Sequence, residues 1–411
     1  MDMPSPTRAA ARTLHVSVPA CRAVRAKPFS PFRALRPGYL LRRVEAHVKR
    51  DWGGEPVVRP PITKAVAFFA ALSAGTFLAC AVWASATEER LTRDRGARVL
   101  GVFPQRRQSL QAEALEESAA SFGAGLQTLR RVFRAVGAPE SVQEPVLRAY
   151  LSSAEWYLEL PSSQRAAVPI IGVNALVFLA WQLAPRFSFV PFMRRVMTHR
   201  PASGRVATMT TSVFSHRAPM HFLFNNVALW SVGGSGLAVV AAHAAGATRG
   251  GDPTPLPHFV AFFVTAGTFA ALVSHLRVAV RWRLLERRVQ ALYPVRNARG
   301  VLERAVFRLV HLARCGTLGS SGAIYASFVL CACAFPSAKL SFFFLPFTAM
   351  PIQWGVLGLV GMDLVGLMRG WQIFDHAAHL GGAAFGLLYF YGGGAVWNHA
   401  KALVRSEGKP A

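Results

Sequence analysis

Three short stretches of this sequence set hydroxyl, imidazole, amide and glycine groups inside otherwise apolar surroundings. They are 215–225 (SHRAPMHFLFN), 319–325 (GSSGAIY) and 375–386 (DHAAHLGGAAFG). Strongly polar groups within apolar spans are costly and mark function by default. A serine hydroxyl is a weak nucleophile until a base takes its proton, and imidazole titrates near neutral pH. Ser321 and His379 are therefore the candidate nucleophile and general base. Acyl transfer also needs donors aimed at a developing oxyanion. His221, the Asn225 amide and the backbone N–H of Ser321 at a helix start can supply them. His221 and Asn225 are four residues apart, as are Ser321 and Tyr325, so each pair shares a helix face. Gly319 and Gly322 flank Ser321. Gly382-x-x-x-Gly386 follows His379, and small residues let two helices approach closely enough to bring serine and histidine into contact.

These residues need elements to position them. A transmembrane helix takes about 20 largely apolar residues. Such runs occur at 64–86, 167–184, 219–241, 257–275, 317–334, 352–368 and 376–396. The expected architecture is an all-α membrane protein in which one extra helix precedes a six-helix core. The expected segments are a basic arm at 1–62, the extra helix at 63–86 and a soluble amphipathic connector at 87–166. The core at 167–396 carries a basic loop at 276–316, and 397–411 form a tail. The three polar stretches open the second, fourth and sixth core helices, which enter from the same side. His221, Ser321 and His379 then share one layer, on the order of 10 Å below the surface.

The charge agrees with this topology. Only 16% of the 411 residues are charged, against about 25% in soluble domains. The net charge of +26 would fit a nucleic-acid partner if it sat on one compact domain. Instead it lies between apolar spans, so no nucleic acid is expected. Loop 185–218 holds six arginines and no acid, and loop 276–316 holds ten arginines against Glu286 and Glu303. Both loops fall on the side of the N-terminal arm, as the positive-inside rule requires. The arm is rich in arginine and poor in acid, the composition of a mitochondrial presequence. The expected location is the mitochondrial inner membrane, with the N-terminus in the matrix and the C-terminus in the intermembrane space. Within loop 276–316, arginines interleave with Val278, Val280, Trp282, Leu284 and Leu285. This fits equally a basic amphipathic helix on anionic lipid and a solvated charged loop.

The H-x-x-x-x-H-x-x-x-N, G-x-S-G-x-x-Y and A-H-x-x-G-x-x-x-G patterns, on helices in this order, resemble the rhomboid protease family over roughly residues 165–396. The leader and the one-plus-six arrangement resemble its mitochondrial, presenilin-associated rhomboid-like branch. The resemblance implies an intramembrane serine protease acting on transmembrane-helix protein substrates. It implies a Ser321–His379 dyad that needs no aspartate, His221 and Asn225 at the oxyanion, and Tyr325 packed on the His379 ring. His216 matches the family's outer histidine, a structural role. No metal or organic cofactor is implied, and the oligomeric state is open.

The other polar residues have plainer readings. Ser320 is expected to bond back to its own helix, His376 to sit at the interface, Asp363 to be a satisfied bundle-facing carboxylate, and Asp375 to cap a helix. Two further functions compete. One is a catalytically inactive rhomboid-like protein that binds membrane clients, against which intact Ser321 and His379 argue. The other is a haem protein ligated by histidines among 216, 221, 376 and 379, which leaves the Gly-Ser-Ser-Gly stretch unexplained. The five cysteines form no C-x-x-C pair, so neither a disulfide scaffold nor a cysteine zinc site is expected. H-E-x-x-H and the G-x-S-x-G elbow are absent, which argues against zinc proteases and soluble serine hydrolases.

Overall fold

The computed structural model describes residues 39–48, 56–93, 103–245, 255–292, 298–342 and 345–407. Most of the N-terminal arm, including the expected presequence, lies outside the described residues. So does part of the stretch between the expected spans at 219–241 and 257–275.

The described chain is built of helices. They are α1 (Tyr39–Val48), α2 (Ile62–Arg93), α3 (Phe103–Ala135), α4 (Glu140–Glu159), α5 (Ser162–Leu183) and α6 (Val190–Val196), then α7 (Thr208–Thr211), α8 (Pro219–Ala245), α9 (Leu256–Leu292) and α10 (Ala298–Arg314). Helix α11 (Ser321–Ala334) is followed by a two-stranded antiparallel hairpin, β1 (Lys339–Phe342) and β2 (Leu345–Pro351), then α12 (Ile352–Arg369) and α13 (His376–Glu407). Four described segments are long and apolar enough to cross a membrane: Ile62–Leu91, Gln164–Leu183, Leu256–Ala291 and Ile352–Arg369. Helix α11 is shorter. Its 14 residues span about 21 Å at 1.5 Å per residue, less than the roughly 30 Å of a bilayer core.

Helix α9 is the central post. Its buried face presents Phe259, Phe262, Phe263, Ala266 and Ala270, and α2, α11 and α13 pack around it. Helix α2 meets this bundle through aromatic contacts, Phe69 with Phe269 and Phe77 with Tyr389 and Trp397. Polar pairs tie other helices together. Asn174 donates to Asn226 at 3.0 Å between α5 and α8, and His258 lies 2.7 Å from Tyr389 Oη between α9 and α13.

The structure differs from the expected segments in three places. The basic loop 276–316 is mostly helix. Helix α9 continues to Leu292, burying Val278, Trp282 and Val289 on one face, and α10 buries Val306, Leu309, Val310 and Ala313. Of the apolar residues interleaved with arginine, Val278 and Trp282 are buried, whereas Val280 and Leu284 are exposed. Glu286, buried in this extension, pairs with Arg59 at 2.9 Å. Second, the stretch between the expected spans at 317–334 and 352–368 holds strands β1 and β2; its sequence is rich in phenylalanine, a residue favoured in strands. Third, α13 runs past 396 to Glu407. Trp397 stacks on His258 at 4.2 Å, while Lys401 and Arg405 reach Glu88 of α2, so the expected tail packs as helix.

Candidate functional site

The loop before α11 is fixed by backbone hydrogen bonds. His199 and Thr317 exchange N–H···O bonds of 3.0 and 2.9 Å, and the Gly319 N–H donates to the Ser212 carbonyl at 2.8 Å. Gly319 has a φ of +117°, a conformation open to glycine but strained for other residues. A Cβ there would also lie 2.6 Å from the Cε1 atom of His221. The chain turns at Ser320 and starts α11 at Ser321. The N–H groups of that first turn have no intrahelical partner. Asp375 sets the start of α13. One oxygen accepts the Ala378 N–H at 3.2 Å, the expected cap, and the other accepts the Ser274 hydroxyl of α9 at 2.5 Å.

Helices α11 and α13 touch backbone to backbone. A Cβ on Gly382 would collide with the Gly322 carbonyl oxygen, and one on Gly386 with that of Ala326. Gly322 in turn faces the Ala270 methyl of α9. With this separation, His379 Nε2 lies 2.9 Å from Ser321 Oγ. The Tyr325 ring stacks on the His379 ring, with centroids 4.4 Å apart and planes 14° from parallel.

Behind His379 sits Asp363 of α12, fully buried. His379 Nδ1 is 3.2 Å from both of its oxygens. The Tyr325 hydroxyl donates to Oδ2 at 2.5 Å, and His376 Nδ1 lies 2.5 Å from Oδ1.

On the other side of Ser321, buried His216 accepts the Ser320 N–H through Nε2 at 3.2 Å. The Ser320 hydroxyl lies 3.2 Å from the same nitrogen and 3.4 Å from Asn225 Oδ1. The Asn225 amide donates to the His221 carbonyl at 2.8 Å and keeps a second N–H. Ser321 and His221 are partly open, whereas Ser320 and His216 are buried.

All nine residues singled out for the site thus lie in one neighbourhood: Gly319, Ser321, Gly322 and Tyr325 on or before α11, His221 and Asn225 on α8, and His379, Gly382 and Gly386 on α13. Two plainer readings change. Ser320 bonds across to α8 and its leading loop instead of to its own helix. His376 is buried against Asp363, not interfacial. Asp363 is a satisfied carboxylate as expected, but its partners are site residues. The signal for it was present, as an acid alone in an apolar helix. Among the described residues, no group of three or more His, Cys, Asp or Glu side chains is arranged to hold a metal ion.

The described helices include several of membrane-spanning length, and they bring a serine and a histidine into contact. Residues 203–395, a little under half of the chain, match the rhomboid domain. The chain is similar to the mitochondrial presenilin-associated rhomboid-like proteins. It is 30% identical over 254 residues to the Mus musculus protein, covering 61% of this chain and 55% of the relative. It is 29% identical over 253 residues to the Homo sapiens protein, covering 61% and 54%. It is 26% identical over 225 residues to Rhomboid protein 1, mitochondrial, of Saccharomyces cerevisiae, covering 54% and 51%. The chain therefore aligns with about half the length of each relative. No solved structure matches it.

Proposed function

We propose that this chain is an intramembrane serine endopeptidase of the mitochondrial inner membrane that cuts peptide bonds in or beside transmembrane helices of other proteins. One observation carries the reading: the 2.9 Å contact between Ser321 Oγ and His379 Nε2, on helices held together by glycines. Ser321 Oγ attacks the scissile carbonyl carbon while its proton passes to His379 Nε2. The oxyanion is met by the Ser321 N–H, His221 and the free N–H of the Asn225 amide. The C–N bond breaks as His379 returns the proton to the leaving amine. Water, deprotonated by His379, then attacks the acyl ester and releases Ser321. No metal or organic cofactor takes part. A helical substrate hides its peptide bonds in its own hydrogen bonds, so it must unwind locally. This favours substrates carrying glycine, proline or polar residues near the cut.

The arrangement is one extra helix, α2, plus a six-helix core of α5, α8, α9, α11, α12 and α13. The basic ends of the core face the matrix, and the site opens toward that side. The soluble connector, including α3 and α4, lies on the opposite side, and the basic segment 276–316 meets anionic headgroups.

The test is cleavage of a model transmembrane substrate by purified, detergent-solubilised protein, comparing wild type with Ser321→Ala and His379→Ala. Cleavage by wild type alone, with both variants folded, supports the reading and both roles. Cleavage by Ser321→Ala at the wild-type rate rejects the nucleophile. No cleavage by wild type of several helix-destabilised substrates favours an inactive, client-binding protein.

A further inference from the structure

Asp363 is more than a satisfied core carboxylate. It is fully buried, in a helix with an apolar composition, where an ionised group is costly unless it is fully hydrogen-bonded. Its surroundings supply the bonds. Tyr325 Oη, His376 Nδ1 and His379 Nδ1 all converge on it, at 2.5, 2.5 and 3.2 Å. They come from two other helices, α11 and α13, and two of the three belong to residues in contact with the His379 ring or are that ring itself. An ionised carboxylate only accepts hydrogen bonds, so Asp363 fixes the proton of each partner. His379 must carry its proton on Nδ1. Its Nε2 then holds a lone pair, and that is the atom facing Ser321 Oγ at 2.9 Å.

We propose that Asp363 is a positioning residue that completes a Ser321–His379–Asp363 relay, in place of the aspartate-free dyad implied by family resemblance. The inference rests on the reading that Ser321 is the nucleophile. Asp363 holds His379 in the base-competent tautomer and orientation, and it stabilises the imidazolium formed when Nε2 takes the serine proton. It does not take the proton itself. Tyr325 couples the two halves of this arrangement. Its ring clamps one face of His379 while its hydroxyl holds Asp363. His376 occupies the remaining reach of Oδ1, and its Nε2 is buried without a hydrogen-bond partner. With Asp363 held by three donors, the carboxylate cannot swing away from His379.

Asp363→Asn tests this in the full chain. An asparagine offers one acceptor and an N–H₂ donor in place of two acceptors. The donor turned toward His379 forces the proton onto Nε2, the wrong nitrogen. The expected result is a fall in kcat of about 10⁴-fold, the size seen when the aspartate of a Ser–His–Asp triad is amidated, with KM within about twofold of wild type. Asp363→Glu should recover part of the loss. Rates are expressed per site titrated by a serine-reactive fluorophosphonate or, where labelling is too slow, per folded molecule. Retention of kcat within about threefold by folded Asp363→Asn overturns the proposal. A loss confined to KM also overturns it. ¹⁵N-histidine NMR on wild type gives a reading that does not depend on the variant folding. His379 protonated on Nδ1 with a bare Nε2 supports the proposal, and the opposite tautomer overturns it. If wild type neither cuts nor labels at Ser321, the protease reading fails and this one falls with it. If wild type is active and Asp363→Asn is equally active, only this one fails.

Discussion

The molecule contains two hydroxyl–imidazole contacts of the same length. Ser321 Oγ lies 2.9 Å from His379 Nε2, and Thr208 Oγ1 lies 2.9 Å from His199 Nδ1. Distance does not separate them, but the groups around each ring do. The Thr208 hydroxyl also lies 2.6 Å from the Arg205 carbonyl, to which it can donate. The other nitrogen of His199 meets His275 Nδ1 at 3.1 Å, and His275 Nε2 reaches the Pro61 carbonyl. That network ties the loop after α6 to α9 and to the start of α2, and none of its partners is a carboxylate. At Ser321 a carboxylate stands behind the ring instead. Asp363 lies 3.2 Å from His379 Nδ1, and in the proposed arrangement it accepts the Nδ1–H bond and leaves Nε2 to face the Ser321 hydroxyl. Ser321 is also partly open, whereas His199 is fully buried.

The strongest way to break this contrast is to remove each hydroxyl in turn. Ser321→Ala should lower kcat by about a millionfold, to background, as loss of a triad serine does. Thr208→Val should leave the rate per folded molecule within about threefold. It should cost about 1–3 kcal/mol of stability, because buried groups lose their partner. Activity and melting temperature measured on both variants decide the matter. Equal activity losses would mean that Thr208 also serves the reaction.

A smaller effect is expected on the oxyanion side. His221→Ala removes one donor beside Ser321 and should cost about 10²- to 10³-fold in kcat. His216→Ala should act mainly through folding, since its Nε2 is bound to the Ser320 N–H. A kcat loss in His216→Ala as large as in His221→Ala, among folded molecules, would erase the assigned difference between the two histidines.

The spacing that holds His379 against Ser321 can be probed without touching either residue. In Gly382→Ala the new methyl meets the Gly322 carbonyl oxygen, a backbone atom that cannot move alone. Overpacking of this kind costs about 1–3 kcal/mol, and moving α13 outward should lower kcat as well. Gly361→Ala on α12 meets nothing within 4 Å and should be neutral or slightly stabilising, since alanine is the better helix former. Thermal melts and turnover on the pair separate a general helix effect from close approach.

Much of this was legible in the sequence. Polar residues are so costly in apolar helices that Ser321, His379, His221 and Asn225 stood out by position, and the glycines gave the reason for close approach. Helices α2, α5, α9 and α12 followed from apolar length. Other features depend on contacts that no local pattern carries. Asp363 lies 42 residues from Ser321 and 16 from His379 in sequence, and only folding shows that Tyr325, His376 and His379 all point at it. His376 could be placed one turn before His379, but not against α12. The α9 extension and α10 read as basic loop because their arginines dominate composition, although their buried positions recur at helical spacing. The continuation of α13 past 396 depends on Trp397 finding His258, a contact across about 140 residues.

The smallest effect expected concerns the structural pair alone. Burial, with His275 beside it, pushes His199 down to about 3 from its ordinary value of 6.5. In the unfolded chain this histidine takes up a proton below about pH 6.5, while in the folded protein it stays neutral until about pH 3. Between those values the unfolded state binds more protons, so stability is full above pH 6.5 and declines as pH falls. The melting temperature of the detergent-solubilised protein should therefore drop between pH 6.5 and 4. His199→Gln cannot titrate, so it should start lower at pH 7 but fall less steeply on acidification. An equally steep fall in the variant would mean that His199 gains its proton as readily in the folded protein as outside it. The pair with Thr208 would then be a protonated contact, and its contrast with Ser321–His379 would rest on the carboxylate alone.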